Sequence, residues 1–284
     1  MHLAEKIAAE LGALYIRTEF KKFPDGEKYV RVNGDVKGQD VAIVQSTALE
    51  PDEYLIEYFL LADALKDLGV KRVRGVFPYF AYARQDERFQ PGEAISFHTV
   101  VTLIEAVGTS EVYTIDSHRH RITDLTKAFR IPAHELTAMH ALATYLKEKY
   151  TLSSPVVVGP DAESEPLVRI VASELNTRYD IMEKKRLGPD NVEIKPRSLD
   201  VKGHDVVIAD DIVSTGNTVI TATKILLNAG ARRIIVVCAH PILAENALEK
   251  IKASGVADIV GTDTVKSPVS RVSVAPIIAQ ALRK

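Results

Sequence analysis

Asp205-Val-Val-Ile-Ala209-Asp210-Asp211-Ile-Val-Ser214-Thr215-Gly216-Asn217-Thr218-Val219-Ile-Thr-Ala222 is the stretch whose reading decides the fold. Asp205 to Ala209 is a short apolar run of strand length that ends on two aspartates. From about Thr218 the periodicity changes. Val219, Ala222, Leu226 and Leu227 share one face of a helix, and Gly230 is its stop signal. Ile234 to Cys238 is a second buried-strand run. Strand, loop, helix and strand in this order form a βαβ unit, whose strands lie parallel with a right-handed crossover.

The N-terminal half repeats this plan. Gly38-Gln-Asp-Val-Ala-Ile-Val44 matches Gly203-His-Asp-Val-Val-Ile-Ala209 at an offset of 165. A helix is predicted from about Asp52 to Leu68, stopping at Gly69, and Val73 to Phe77 supplies the next strand. Leu68-Gly-Val-Lys-Arg-Val73 echoes Ala229-Gly-Ala-Arg-Arg-Ile234 at an offset of 161. Two matches in order predict an α/β protein of two duplicated domains, each with a mainly parallel sheet flanked by helices. The expected domains are 1–145 and 146–284, with the boundary in the helix Met139 to Tyr150 or the turn behind it. The tail 275–284 reads as a helix that can pack on either half, including back on the first. The copies differ where ligands would sit: Gln45-Ser46 stands opposite Asp210-Asp211.

The 284 residues are 46% hydrophobic and 26% charged, as in a soluble globular protein, and the net charge is −2. Neither a basic footprint for nucleic acid nor a spanning run of about 18 apolar residues is present. Met1 to Gly12 reads as an amphipathic helix broken by Glu5, Lys6 and Glu10, not as a signal-peptide core. A cytoplasmic protein is expected. The one cysteine, Cys238, lies in an apolar run and reads as a buried hydrophobe.

The loop from Asp210 to Thr218 joins a strand's carboxyl end to a helix start, where open α/β sheets bind ligands. Backbone amides of Ser214, Thr215, Gly216, Asn217 and Thr218 would converge on an anion, aided by three hydroxyls and the helix end. Asp210 and Asp211 would repel a bare phosphate, so they suit a ligand with hydroxyls beside its phosphate: a sugar phosphate. The plainer reading makes Ser214 a cap and the aspartates a solvated turn.

This stretch resembles the ribose 5-phosphate loop of type I phosphoribosyltransferases and of ribose-phosphate diphosphokinases. The latter's usual pattern is Asp-Asp-x-x-Asp-Thr-x-x-Thr, and Ser214 replaces its third aspartate. Pro78-Tyr-Phe-Ala-Tyr82-Ala-Arg84-Gln85-Asp86 resembles the diphosphokinases' ATP-binding segment. On its own residues, Arg84 can reach triphosphate oxygens, Gln85 a base or ribose, and the aromatic rings can stack a base or simply pack. Phe23-Pro-Asp25-Gly26-Glu27 is strong turn chemistry. The resemblance implies that this turn reaches the adenine bound to a neighbouring chain, hence a homo-oligomer of at least two chains.

In Val112-Tyr-Thr-Ile-Asp116-Ser-His118-Arg-His120, the residues Asp116, His118 and His120 face one way if the strand persists. The resemblance implies that His118 helps hold the Mg²⁺ of the nucleotide complex, while His120 reads as a solvated loop residue. Asp161, after the strand Val156-Val-Val-Gly159, is either a helix cap or, by resemblance, a ligand of ribose and Mg²⁺. The family's two glycines are absent behind it, where Ala162-Glu-Ser-Glu165 stands. Lys184 and Arg186 fall in register with a mobile Lys-x-Arg segment that closes over the transferring phosphates in the family.

These motifs, in the family's order, run from Phe23 toward the C-terminus. They imply two phosphoribosyltransferase-like domains with the active site between them, and transfer of the β,γ-diphosphate of ATP to O1 of ribose 5-phosphate. Two rivals stand beside this reading: a phosphoribosyltransferase that consumes the product, and a non-catalytic regulatory homologue.

Overall fold

The computed structural model describes residues 2–88, 90–118, 124–186, 192–196 and 200–284, with the backbone alone at 126, 183–186 and 192–196. The chain divides into two compact units: Met1–Leu136 with Val274–Lys284, and Thr137–Ser273.

The first unit opens on α1 (Leu3–Leu11), whose start is fixed by His2 and Glu5 exchanging side-chain-to-amide bonds. An antiparallel hairpin follows, β1 (Thr18–Lys22) and β2 (Lys28–Val32), closed by Lys22 opposite Lys28. Then come β3 (Asp40–Val44), α2 (Pro51–Asp67), β4 (Arg72–Phe77), α3 (Ser96–Ala106), β5 (Thr109–Ile115) and β6 (Ala133–Leu136). The four strands form a parallel sheet in the order β3-β4-β5-β6. Tyr58 of α2, Phe77 of β4 and Phe97 of α3 anchor its core, and the Tyr58 hydroxyl is satisfied by Thr109 Oγ1 at 2.7 Å.

The second unit starts at Thr137, just ahead of the helix in which the boundary was expected, because the whole of α4 (Met139–Lys149) packs within it. It continues with β7 (Val156–Gly159), α5 (Glu165–Leu175), β8 (Arg178–Arg186), β9 (Val192–Pro196), β10 (Asp205–Val213) and α6 (Asn217–Asn228). It ends with β11 (Arg233–Pro241), α7 (Ala247–Ala253), β12 (Asp258–Thr262) and β13 (Ser270–Val272). The sheet order is β13-β12-β11-β10-β7-β8-β9, parallel except for the β8–β9 pair. From the adjacent strands β7 and β10 the chain leaves in opposite directions across the sheet. Such a switch point opens a crevice at the strands' carboxyl ends. The tail forms α8 (Ala275–Leu282) and returns to the first unit, where Arg74 Nη1 donates to the Leu282 carbonyl at 2.7 Å.

Duplication is visible in the backbone itself. Gly38 N–H donates to Gly69 and Gly203 N–H to Gly230, each at 2.8 Å; Lys71 donates to Gln39 and Arg232 to His204, again each at 2.8 Å. Asp40 pairs with Arg72 across β3–β4, as Asp205 pairs with Arg233 across β10–β11. One difference departs from the sequence reading. β10 does not stop at Ala209; it keeps pairing with β11 through Val213, so Asp210 and Asp211 ride on the strand rather than in the loop. β3 ends at Val44.

Candidate active site

In the second unit the switch point gathers carboxylates. Asp210 is buried on β10 and accepts the Asp211 amide at 2.9 Å; Asp211 is half-buried and accepts the Ile212 amide at 2.6 Å. Asp161 stands two residues beyond β7. It caps the short turn Ala162–Ser164, accepting the Glu163 amide at 3.0 Å and the Ser164 amide at 3.2 Å. The cap role is therefore real. Gly159 makes room for it, since a Cβ there would lie 2.3 Å from Ser164 Oγ.

Desolvation, then Asp211 and Asp161, push the Asp210 carboxyl well above the carboxylate range. Asp161 is raised too, by desolvation first and then by Glu163 and Asp211, against the two capping amides. Asp161 and Asp210, each raised in part by neighbouring carboxylates, suit a hard cation or the hydroxyls of a sugar. Among the described residues no ready-made metal cage of three or more such groups is present. Burial, and then Asp210 and Asp211, also push the Cys238 thiol up, so this buried cysteine is no nucleophile.

Beyond β10, Ser214 and Thr215 lead into α6 through Gly216 at φ +80°. A Cβ at this glycine would meet Ile251 of α7 at 2.8 Å, so both the turn and the packing require it. α6 has no side-chain cap and no acidic residue in its first turn. Its first amides are left for a ligand. Among the described residues the hydroxyls of Ser214, Thr215 and Thr218 make no hydrogen bond within the chain, and Asn217 and Thr218 are exposed.

The first unit holds the other motifs. Phe23 to Glu27 close the β1–β2 hairpin: Phe23 N–H donates to Glu27 at 2.8 Å, and Glu27 N–H to Asp25 Oδ1 at 3.3 Å. Phe23, Asp25 and Glu27 are exposed, with Phe23 edge-on to Tyr29. Arg84, also exposed, follows β4 in a turn. Gln85 is instead held within the chain, its Nε2 donating to Glu87 O at 3.3 Å and Glu93 Oε2 at 3.2 Å, and Asp86 is buried. The segment's phenylalanine is not a stacking face. Phe80 is buried edge-on among Phe77, Phe97 and Phe129. Packing won because the segment turns straight back over the core.

The predicted alternation of Asp116, His118 and His120 also fails. β5 ends at Ile115, and Asp116 turns to φ +36°, which breaks the period of two. His118 is half-buried, and His120 lies outside the described residues. Lys184 and Arg186 occupy β8 opposite Ile194 and Val192, two apart and so on one face of the strand. Their side chains lie outside what is described.

Sequence reasoning missed the first turn of α2. Asp52 accepts from the Tyr82 hydroxyl, and Glu53 pairs with Lys22 and Lys28. Acidic residues directly after Pro51 were the available signal.

β10 thus carries a diacid up to the uncapped, hydroxyl-lined start of α6, at the carboxyl edge of a parallel sheet of the doubly wound kind. Residues 1–108 match the N-terminal domain of ribose phosphate pyrophosphokinase, and residues 126–270 match the phosphoribosyl transferase domain. The ribose-phosphate pyrophosphokinase of Methanothermobacter thermautotrophicus is 43% identical over 99% of this chain and 96% of its own length. That of Methanopyrus kandleri is 40% identical over 99% and 94%. The phosphoribosylpyrophosphate synthetase of Mycobacterium smegmatis superposes with a TM-score of 0.88 at 27% identity, covering 99% of this chain and 94% of that one. The chain belongs to the ribose-phosphate pyrophosphokinase family. Among the described residues no helix is long and apolar enough to cross a membrane.

Proposed function

We propose that this enzyme transfers the β,γ-diphosphate of ATP to O1 of ribose 5-phosphate, giving 5-phosphoribosyl 1-diphosphate and AMP in the cytoplasm. The observation that carries the reading is the open α6 end beside Asp210 and Asp211. The 5-phosphate sits on the amides and hydroxyls of Ser214 to Thr218, and the carboxylates of Asp210 and Asp211 take the ribose hydroxyls. Arg84, Gln85 and Asp86 serve the nucleotide.

His118 would serve the Mg²⁺ of the nucleotide and Asp161 the ribose with its Mg²⁺; the metal would supply charge neutralisation on the phosphates. O1 displaces AMP in line at the β-phosphorus; positioning and cations do the work, so no covalent nucleophile is needed. Lys184 and Arg186 are assigned to the negative charge that develops as the bond to AMP breaks.

Protein mixed with Mg²⁺, ATP and ribose 5-phosphate should release AMP only when the sugar is present. Release of ADP would rule the assignment out, inertness would favour a regulatory homologue, and consumption of the diphosphate by a base would favour a phosphoribosyltransferase.

The Phe23–Glu27 turn completes a neighbouring chain's nucleotide site, so a homodimer is the smallest active unit. Mixing Phe23→Ala with Lys184→Ala chains should restore activity in hybrid sites. No recovery after proven subunit exchange would remove the shared-site reading.

A further inference from the structure

Two adjacent residues at the start of α2 hold both nucleotide segments of the first unit. Asp52 accepts from the hydroxyl of Tyr82, whose φ of +65° marks the bend of the 78–86 segment. Glu53 pairs with Lys22 and, at 2.6 Å, with Lys28, and Glu57 one turn further along takes Lys28 at 2.8 Å. Lys22 and Lys28 form the last rung of the β1–β2 ladder, directly flanking the Phe23–Glu27 turn. Among the described residues these ion pairs tie the turn's two flanks to α2, beside the packing of β2 on the same helix. An open cleft of about 420 Å³ separates it from α2, with Gly26 and Glu27 on one wall and Ile56 and Leu60 on the other. The turn's own hydrogen bonds set its shape but not its place.

We infer that Asp52 and Glu53 are positioning residues for ATP: one fixes the nucleotide segment of the chain's own site, the other the turn offered to the neighbouring site. The inference rests on the reading that both segments meet nucleotide. The half-exposed Lys22 pair is screened by solvent and adds little. Lys28 is the working arm, because its side chain is only 13% exposed and that of Glu57 only 12%. Carboxylates suit this place on the helix, since its amino end favours negative charge. The bracket also joins two sites through one helical turn. Displacing it should disturb nucleotide binding at both, while the ribose 5-phosphate loop in the other unit keeps its own supports.

Steady-state kinetics on the intact enzyme test this. Glu53→Gln, Asp52→Asn and Lys28→Met should each raise KM for ATP roughly 3–10-fold, the scale of losing one partly exposed polar anchor. KM for ribose 5-phosphate and kcat should stay within about twofold. Lys28→Arg, which keeps the charge and the reach, should stay near the parent. A residue that merely stabilised the fold would lower Tm and move kcat and both KM values together; that pattern in Glu53→Gln and Lys28→Met would overturn the inference. Phe23→Ala separates the two layers. If it leaves KM for ATP unchanged, the turn does not meet nucleotide and the underlying reading fails. If it raises KM while Glu53→Gln and Lys28→Met do not, the reading stands and the bracket is wrong.

Discussion

α2 and α6 are the same helix in two copies of one βαβ unit, and they use their amino ends in opposite ways. α2 begins with Pro51, Asp52 and Glu53, so its positive end is already matched by carboxylates that hold Tyr82, Lys22 and Lys28. The loop before it is also spent: Thr47 Oγ1 donates to Tyr79 O at 2.8 Å and accepts from Ala81 N–H at 2.8 Å. α6 begins after a glycine with no acid and no cap. Its acids lie upstream on β10, which runs further than β3. The second sheet also has a switch point, between β7 and β10, whereas the first runs monotonically from β3 to β6. A duplicated fold thus braces one helix end internally and leaves the other open, where the proposed ligand would sit. The decision rests on a few residues around the helix start, not on the fold.

The sharpest break of this comparison lies in the second unit's own cations. Lys184→Ala should lower kcat by roughly 10²–10³, the cost of losing one preorganised donor at a developing charge. KM for both substrates should move far less, because such a contact works on the transition state. A strong rise in KM for ATP with kcat unchanged would make Lys184 a ground-state binder.

Next, the α2 solution can be transplanted. Thr218→Glu places an acid in the first turn of α6, against the position assigned to the sugar's phosphate. KM for ribose 5-phosphate should rise by roughly 10²-fold through lost hydrogen bonding and added repulsion. KM for ATP should barely move. Unchanged sugar affinity would mean that the anion lies elsewhere. Ser214→Asp is milder, because the family's usual residue there is aspartate; KM for ribose 5-phosphate should change by less than about threefold.

Much of this was legible in the sequence. The two offsets located β3, α2 and β4 and their copies β10, α6 and β11, because buried parallel strands read as apolar runs and glycine marks helix ends. The carboxyl end of β10 was misjudged because Asp210 and Asp211 look like a strand stop. Pairing with β11 carries the backbone past them, an effect no local window records. The Asp116–His118 pattern failed for the opposite reason: a real strand ended at Ile115, before the pattern began, with Asp116 in a left-handed turn. Phe80 shows the limit of motif chemistry, since a ring in a segment expected to meet nucleotide serves the core instead. The α2 bracket was not legible at all. Its partners are 25–31 residues away in sequence and meet only in the tertiary fold.

The smallest expected effects concern the duplicated ion pair at the other end of these strands. Asp205 is 1% exposed and accepts Arg232 Nε at 2.8 Å, Arg232 Nη2 at 2.7 Å, Arg233 Nη2 at 2.6 Å and the Ser153 amide at 2.9 Å. Burial alone would raise its pKa, but the guanidinium groups and the amide outweigh it and hold the carboxyl below its ordinary range. A depressed folded pKa means stability that is complete above the unfolded value, near ~3.9. That stability is lost as the pH falls through the folded value. Asp205→Asn should therefore lower stability at neutral pH by about 2 kcal/mol, discounted for the half-exposed Arg232. It should also flatten the loss of stability below about pH 4, because the variant has no proton to take up there. Asp40, its copy, is held down mainly by the hydrogen bond from Arg72, with the same sign, but this pair is exposed on β3 and β4. Water screens it, so Asp40→Asn should leave Tm and the acid limb nearly unchanged. Urea unfolding of both variants between pH 3 and pH 7 measures the contrast. Equal losses would mean that burial does not distinguish the copies, and that the second unit's strand pairs are no better anchored than the first's.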